Sequence, residues 1–113
     1  MADEPTMTAQ TLAMLNVMLD DPTQPWYGLE VAEASGLKTG TIYPALARLE
    51  RAGWLASWWE QGDPRSLARP RRRLYQLTGL GENRARDAVN AHLAQLRAAR
   101  LPASRSEPRI RLG

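Results

Sequence analysis

Apolar positions recur at helical spacing from residue 8 onward. Leu12, Leu15 and Leu19 form one stripe and Met14 and Met18 an adjacent one. An arc that wide suits a helix covered on two sides. Asp20-Asp21-Pro22 ends it, and Pro22 and Pro25 keep the following loop out of helical conformation. A short second helix fits residues 27–34, where Tyr27 and Val31 lie one turn apart, as do Leu29 and the pair Ala32 and Glu33. Gly36 then stands where a left-handed cap is needed, followed by the apolar Leu37. A third helix, over residues 39–52, carries Ile42, Leu46 and Leu49 at i, i+4 and i+7 and stops at Gly53. Pro44 predicts that its regular part begins only near Thr41, or that it kinks. Two short helices joined by Ser35-Gly36-Leu37-Lys38 make a helix-turn-helix pattern.

After Gly53 the period changes to two. Trp54, Ala56 and Trp58 alternate with Leu55, Ser57 and Trp59, which predicts a strand. A second strand fits residues 73–78, with Tyr75 and Leu77 on one face. Between them, residues 61–72 form a loop with Gly62, Pro64, Pro70 and four arginines. Thr78 can cap a last helix running to about residue 100, with its apolar stripe at Ala85, Val89, His92, Leu93 and Leu96. The order helix, helix, helix, strand, loop, strand, helix predicts a mainly α winged helix-turn-helix with an added C-terminal helix. The expected divisions are a loose lead-in over residues 1–7, a winged domain over 8–78, a helix over 79–101 and a disordered basic tail over 102–113.

Composition narrows the chemistry. In 113 residues there is no cysteine and one histidine, His92, which excludes thiolate sites and most catalytic triads and multi-histidine metal sites. No catalytic residue, metal site or cofactor is expected. The pairs Asp20 with Asp21 and Glu30 with Glu33 read as solvated acidic surface, and His92 as an interface or surface residue. The acidic N-terminus does not fit a signal peptide, and no apolar run is long enough to span a bilayer, so a cytoplasmic protein is expected. Net charge is +3, but it is unevenly placed: residues 1–37 hold six acids and no Lys or Arg, while residues 38–113 hold all 15 basic residues and six acids. A −6 segment is joined to a +9 segment.

That asymmetry points to a polyanion. With Ile42, Leu46 and Leu49 facing inward, the third helix presents Thr41, Tyr43, Pro44, Ala47, Arg48 and Arg51 outward, and Lys38 just before it is counted among the candidate DNA contacts. Hydroxyls and free amides at a helix start suit a phosphate or a base edge in the major groove. Any amphipathic helix has such a face, so the loop decides. Arg65, Arg69, Arg71 and Arg72 lie in it and Arg73 follows, with four arginines in the five residues 69–73. Guanidinium groups so crowded repel unless an anion meets them, and DNA supplies one to a protruding wing. With no Phe in the chain, the tryptophans are expected mainly as core fillers. The narrow stripe of the last helix (Ala85, Val89, His92, Leu93, Leu96) suggests a seam with a second copy of the chain.

Four segments carry a resemblance: Tyr27-Gly28-Leu29-Glu30, Gly40-Thr41-Ile42-Tyr43-Pro44-Ala45-Leu46, Arg48-Leu49-Glu50-Arg51-Ala52-Gly53-Trp54 and the run from Arg69 to Thr78. Together they resemble the PadR family of bacterial transcription regulators over roughly residues 8–100. The resemblance implies a winged-helix homodimer that binds operator DNA, often as a repressor. It implies that Thr39, Gly40, Thr41, Tyr43 and Pro44 lie at the DNA, that the wing with Arg69 to Arg72 reaches backbone or minor groove, and that the last helix forms the dimer interface. The family's usual Ser-Pro is Lys38-Thr39 here, and residues 79–113 contain no aromatic to hold a flat effector, so a small-molecule effector is unsupported. The expected function is sequence-specific binding of double-stranded DNA at a palindromic operator, with residues 38–52 in the major groove. The rival is a winged-helix protein-interaction module whose basic wing meets an acidic partner.

Overall fold

The computed structural model describes residues 4–110, and side chains as far as residue 99. Helix α1 (Ala9–Leu19) starts where Thr8 caps it, the Thr8 hydroxyl accepting from the Thr11 amide at 3.1 Å. Its wide apolar arc has the predicted use: Leu12, Met14, Leu15 and Met18 are buried, and α1 packs against helices on more than one side.

Strand β1 (Trp26–Tyr27) leads directly into α2 (Gly28–Ser35). The Glu30 carboxylate turns back to accept the Tyr27 amide at 2.8 Å, fixing the start of α2. Gly36 ends α2 at φ 76°, and the Leu37 amide reaches the Ala32 carbonyl at 3.1 Å, the left-handed closure expected of this glycine. Helix α3 (Thr39–Arg51) is anchored by Ile42, Ala45, Leu46 and Leu49, all buried. It begins at Thr39 rather than Thr41 and contains Pro44. Pro44 removes one hydrogen bond, to the Gly40 carbonyl, and its exposed position leaves that carbonyl open to water.

Strands β2 (Leu55–Trp59) and β3 (Arg73–Leu77) pair antiparallel, with Ser57 opposite Tyr75 and Trp59 opposite Arg73. Strand β1 adds to the far side of β3, giving the order β1-β3-β2. Within the intervening loop lies α4 (Pro64–Leu67), capped by Asp63, whose carboxylate accepts the Arg65 amide at 3.1 Å. Neither β1 nor α4 was expected; each is too short to show a period. Asp63-Pro64 is nonetheless a cap followed by a first-turn proline, a local start signal for α4.

Thr78 caps α5 (Gly79–Ile110) as predicted, its hydroxyl accepting the Gly81 amide at 2.9 Å and donating to the Gly53 carbonyl at 2.7 Å. Gly81 sits directly on the Trp54 backbone, where any Cβ would collide with the Trp54 carbonyl oxygen. Trp54 is buried in the core, as expected, and Trp59 is exposed. The helix continues past Pro102 to Ile110, whereas a non-helical tail was expected from residue 102. A proline removes one backbone bond, which a helix already nucleated over many residues can lose. Residues 111–113 of the expected tail, and residues 1–3 of the lead-in, lie outside the described residues. This is a winged helix: three helices, a small antiparallel sheet with a β2–β3 wing, and a long last helix laid along α1.

Candidate nucleic-acid interface

The outward face of α3 is exposed. Lys38, Thr39, Gly40, Thr41, Tyr43, Pro44, Arg48 and Arg51 are all exposed. No side chain caps the start of α3, so its leading amides and partial positive charge face outward. Arg48 and Arg51 fall in its last turn, where they also complement the helix dipole. Tyr43 is seated by Gly28, a pairing the sequence does not show: its ring crosses Gly28, where a Cβ would lie 2.5 Å from Tyr43 Cε1.

The wing arginines divide into two groups. Arg69 is bound internally, its guanidinium donating to both oxygens of the Glu60 carboxylate and to the Pro70 carbonyl. Arg73 donates to Ser57 Oγ at 2.9 Å, lies 3.7 Å from Glu50 and stands 5.1 Å from the centre of the Trp59 ring. Arg71 is steadied by a 2.6 Å bond from Nε to the Gly62 carbonyl but faces no carboxylate among the described residues. Arg72 places its guanidinium 5.6 Å from the centre of the Tyr27 ring, with no side-chain hydrogen bond or ion pair among the described residues. Arg65 is exposed on α4. Part of the repulsion expected among these arginines is therefore relieved inside the chain, by Glu60 and Glu50, and Arg65, Arg71 and Arg72 meet no carboxylate among the described residues.

Glu60 is the unpredicted centre of the wing. Its side chain, only 9% exposed, also accepts the Tyr27 hydroxyl and the Arg72 amide, each at 2.8 Å. The hydrogen bonds from Arg69 and then from the Tyr27 hydroxyl, helped by the Arg72 amide, hold its carboxyl at about 2 against burial acting the other way. The same contact pushes Arg69 above its ordinary value. Counting the strand register one step beyond Trp59 and Arg73 sets Glu60 opposite Arg72, which the sequence alone would have revealed had the register been known.

The wing and α3 meet at a cleft of about 390 Å³, lined among others by Tyr27, Gly28, Tyr43, Trp59, Arg71 and Arg72. Tyr75 closes it from the sheet; burial pushes its phenol up from the ordinary value. Of the residues expected at a second copy, Ala85 is fully buried in this chain's own core and has no surface to offer a partner. Val89 packs against that core; Val89, His92 and Leu93 line a groove of about 290 Å³ against α1, and Leu93 and Leu96 are 42% and 50% exposed. Among the described residues no group of three His, Asp or Glu side chains could hold a metal ion, and no helix is long and apolar enough to cross a membrane.

Residues 14–87 match the family model described as transcriptional regulator PadR-like family. The chain belongs to the PadR-like family. Members of this family are DNA-binding transcription regulators without enzymatic activity. Among solved structures, a PadR family transcriptional regulator from Eggerthella lenta is 29% identical with a TM-score of 0.60, covering 80% of this chain and 79% of that one. The PcaV transcriptional regulator from Streptomyces coelicolor, solved with its natural ligand, is also 29% identical, with a TM-score of 0.62 over 91% of this chain and 66% of that one. A transcriptional regulator homologue from Pyrococcus horikoshii, 16% identical with a TM-score of 0.63 over 82% and 85%, shares the fold. The search of curated proteins found no match.

Proposed function

We propose that this PadR-like protein binds operator DNA as a homodimer and represses the promoter it occupies. Helix α3 enters the major groove, where Thr39, Thr41 and Tyr43 meet base edges and phosphates while Lys38, Arg48 and Arg51 neutralise the backbone. The wing, through Arg71 and Arg72 with Arg65, lies on the backbone or in the minor groove; Arg69 holds the wing in shape. The observation that carries this reading is the shared cleft: Tyr43 of α3 and Arg71 and Arg72 of the wing converge on one basic, aromatic surface. Dimerisation uses α5 with α1, through His92, Leu93 and Leu96, and a two-fold axis there matches a palindromic site. A cytoplasmic, DNA-associated location follows from that role. Fluorescence anisotropy with duplexes from upstream of its own gene tests the reading. Binding tighter to one such duplex than to random duplex, and weakening steeply with salt, is expected; equal affinity for both would overturn it.

A further inference from the structure

The wing is joined to the helix-turn-helix through one carboxylate. Glu60, just past the end of β2, receives donors from three residues on two separate segments: Arg69 and Arg72 across the wing, and the Tyr27 hydroxyl from the start of α2. Tyr27 is followed by Gly28, on which the Tyr43 ring of α3 rests. A continuous series of contacts thus runs from wing to Glu60, to Tyr27, to Gly28 and to the recognition helix. Beyond this point residues 61–72 are mostly exposed and are held by local contacts of the loop itself, the Asp63 cap of α4 and the bond from Arg71 Nε to the Gly62 carbonyl.

The sign of the charge makes this arrangement informative. A carboxylate on a face that meets a polyanion repels it, so on charge alone its removal strengthens DNA binding. Glu60 is nevertheless enclosed and fully hydrogen-bonded, which is the environment of a group that fixes geometry.

We propose that Glu60 is a positioning residue for DNA binding, fixing the wing at the angle to α3 that lets Arg71 and Arg72 reach the backbone together with Tyr43. This rests on the DNA-binding reading above. Glu60→Gln keeps the shape of the side chain and removes the charge that gathers Arg69 and the Arg72 amide. In the full-length variant without DNA, amide hydrogen exchange is expected to quicken across residues 61–72 while β2 and β3 keep their protection. Affinity for the operator duplex is expected to fall about tenfold, roughly the worth of one charge-assisted hydrogen bond, with a shallower dependence on salt as wing contacts are lost. A variant that merely unfolds in part would lower the active fraction and leave the salt slope unchanged. Unchanged or increased affinity, or unchanged exchange in the wing, would overturn the proposal. Tyr27→Phe is the milder partner, deleting one donor and keeping the ring under the guanidinium groups. It is expected to lower affinity less and to be non-additive with Glu60→Gln; strict additivity would overturn the shared clamp. If the wild-type chain binds no duplex, the DNA reading fails and the proposal with it, whereas a wild type that binds DNA while Glu60→Gln binds it as well or better defeats the proposal alone.

Discussion

At Gly28 the absence of a side chain decides where Tyr43 stands. An added Cβ would lie 2.5 Å from the Tyr43 ring, yet that ring is 45% exposed and free to swing aside. Gly28→Ala is therefore expected to leave the melting temperature nearly unchanged, since Gly28 is the first residue of α2 and the obstacle is a movable ring, while duplex affinity falls. Gly81 is the contrasting case, because its obstacle is the Trp54 backbone. There Gly81→Ala is expected to cost about 3 kcal/mol, the upper end of overpacking penalties, read by denaturant unfolding. Glu60 adds a pH dependence. Its carboxyl is held at about 2 against an ordinary value of 4.5, by Arg69 first and then the Tyr27 hydroxyl. A lowered carboxyl stabilises the folded state fully above 4.5, and that contribution is lost as pH falls toward 2. The melting-temperature gap between wild type and Glu60→Gln is thus expected to be constant above pH 4.5 and to close below it.

Among the elements, the proposed DNA complex divides the work of recognition between α3 and the wing. Arg72, with no ion pair among the described residues, is expected to act on the backbone alone. Arg72→Ala should weaken binding to all duplexes alike and reduce the salt slope by about one. Thr41→Ala should instead cost about 1–3 kcal/mol at particular base pairs and little elsewhere, as competition with single-base variants would show. The helices α1, α2 and α3, both wing strands and the Thr78 cap are readable from the sequence because periodicity, proline and glycine mark them locally. The short β1 and α4 are not, since two and four residues carry no period. The exposed face of α3 was equally visible, because Ile42, Leu46 and Leu49 fix which side is buried. Glu60 was not, since its partners lie 9, 12 and 33 positions away and meet only through strand pairing and the approach of Tyr27. For the same reason the crowding of arginines at 69–73 overstated the positive charge left for DNA: two of its four are answered within the chain.

At the scale of the whole molecule, charge and shape agree. The acidic first 37 residues hold α1, β1 and α2, and the basic residues begin at Lys38, immediately before α3. Helix α5 leaves Leu93 and Leu96 exposed, Leu93 in the groove against α1. Leu93→Asp with Leu96→Asp is expected to convert a dimer into a monomer in sedimentation at micromolar concentration; a wild-type monomer there would contradict the dimer. In the proposed dimer, α3 and the wing of each copy read DNA sequence as a symmetric pair. The most direct test of that reading is selection of genomic fragments bound by the full-length protein at about 0.15 M salt. The expected result is enrichment of inverted half-sites whose centres lie about one helical turn, ~10–10.5 base pairs, apart. Fragments recovered without a common site, and bound no more tightly than random duplex, would contradict it.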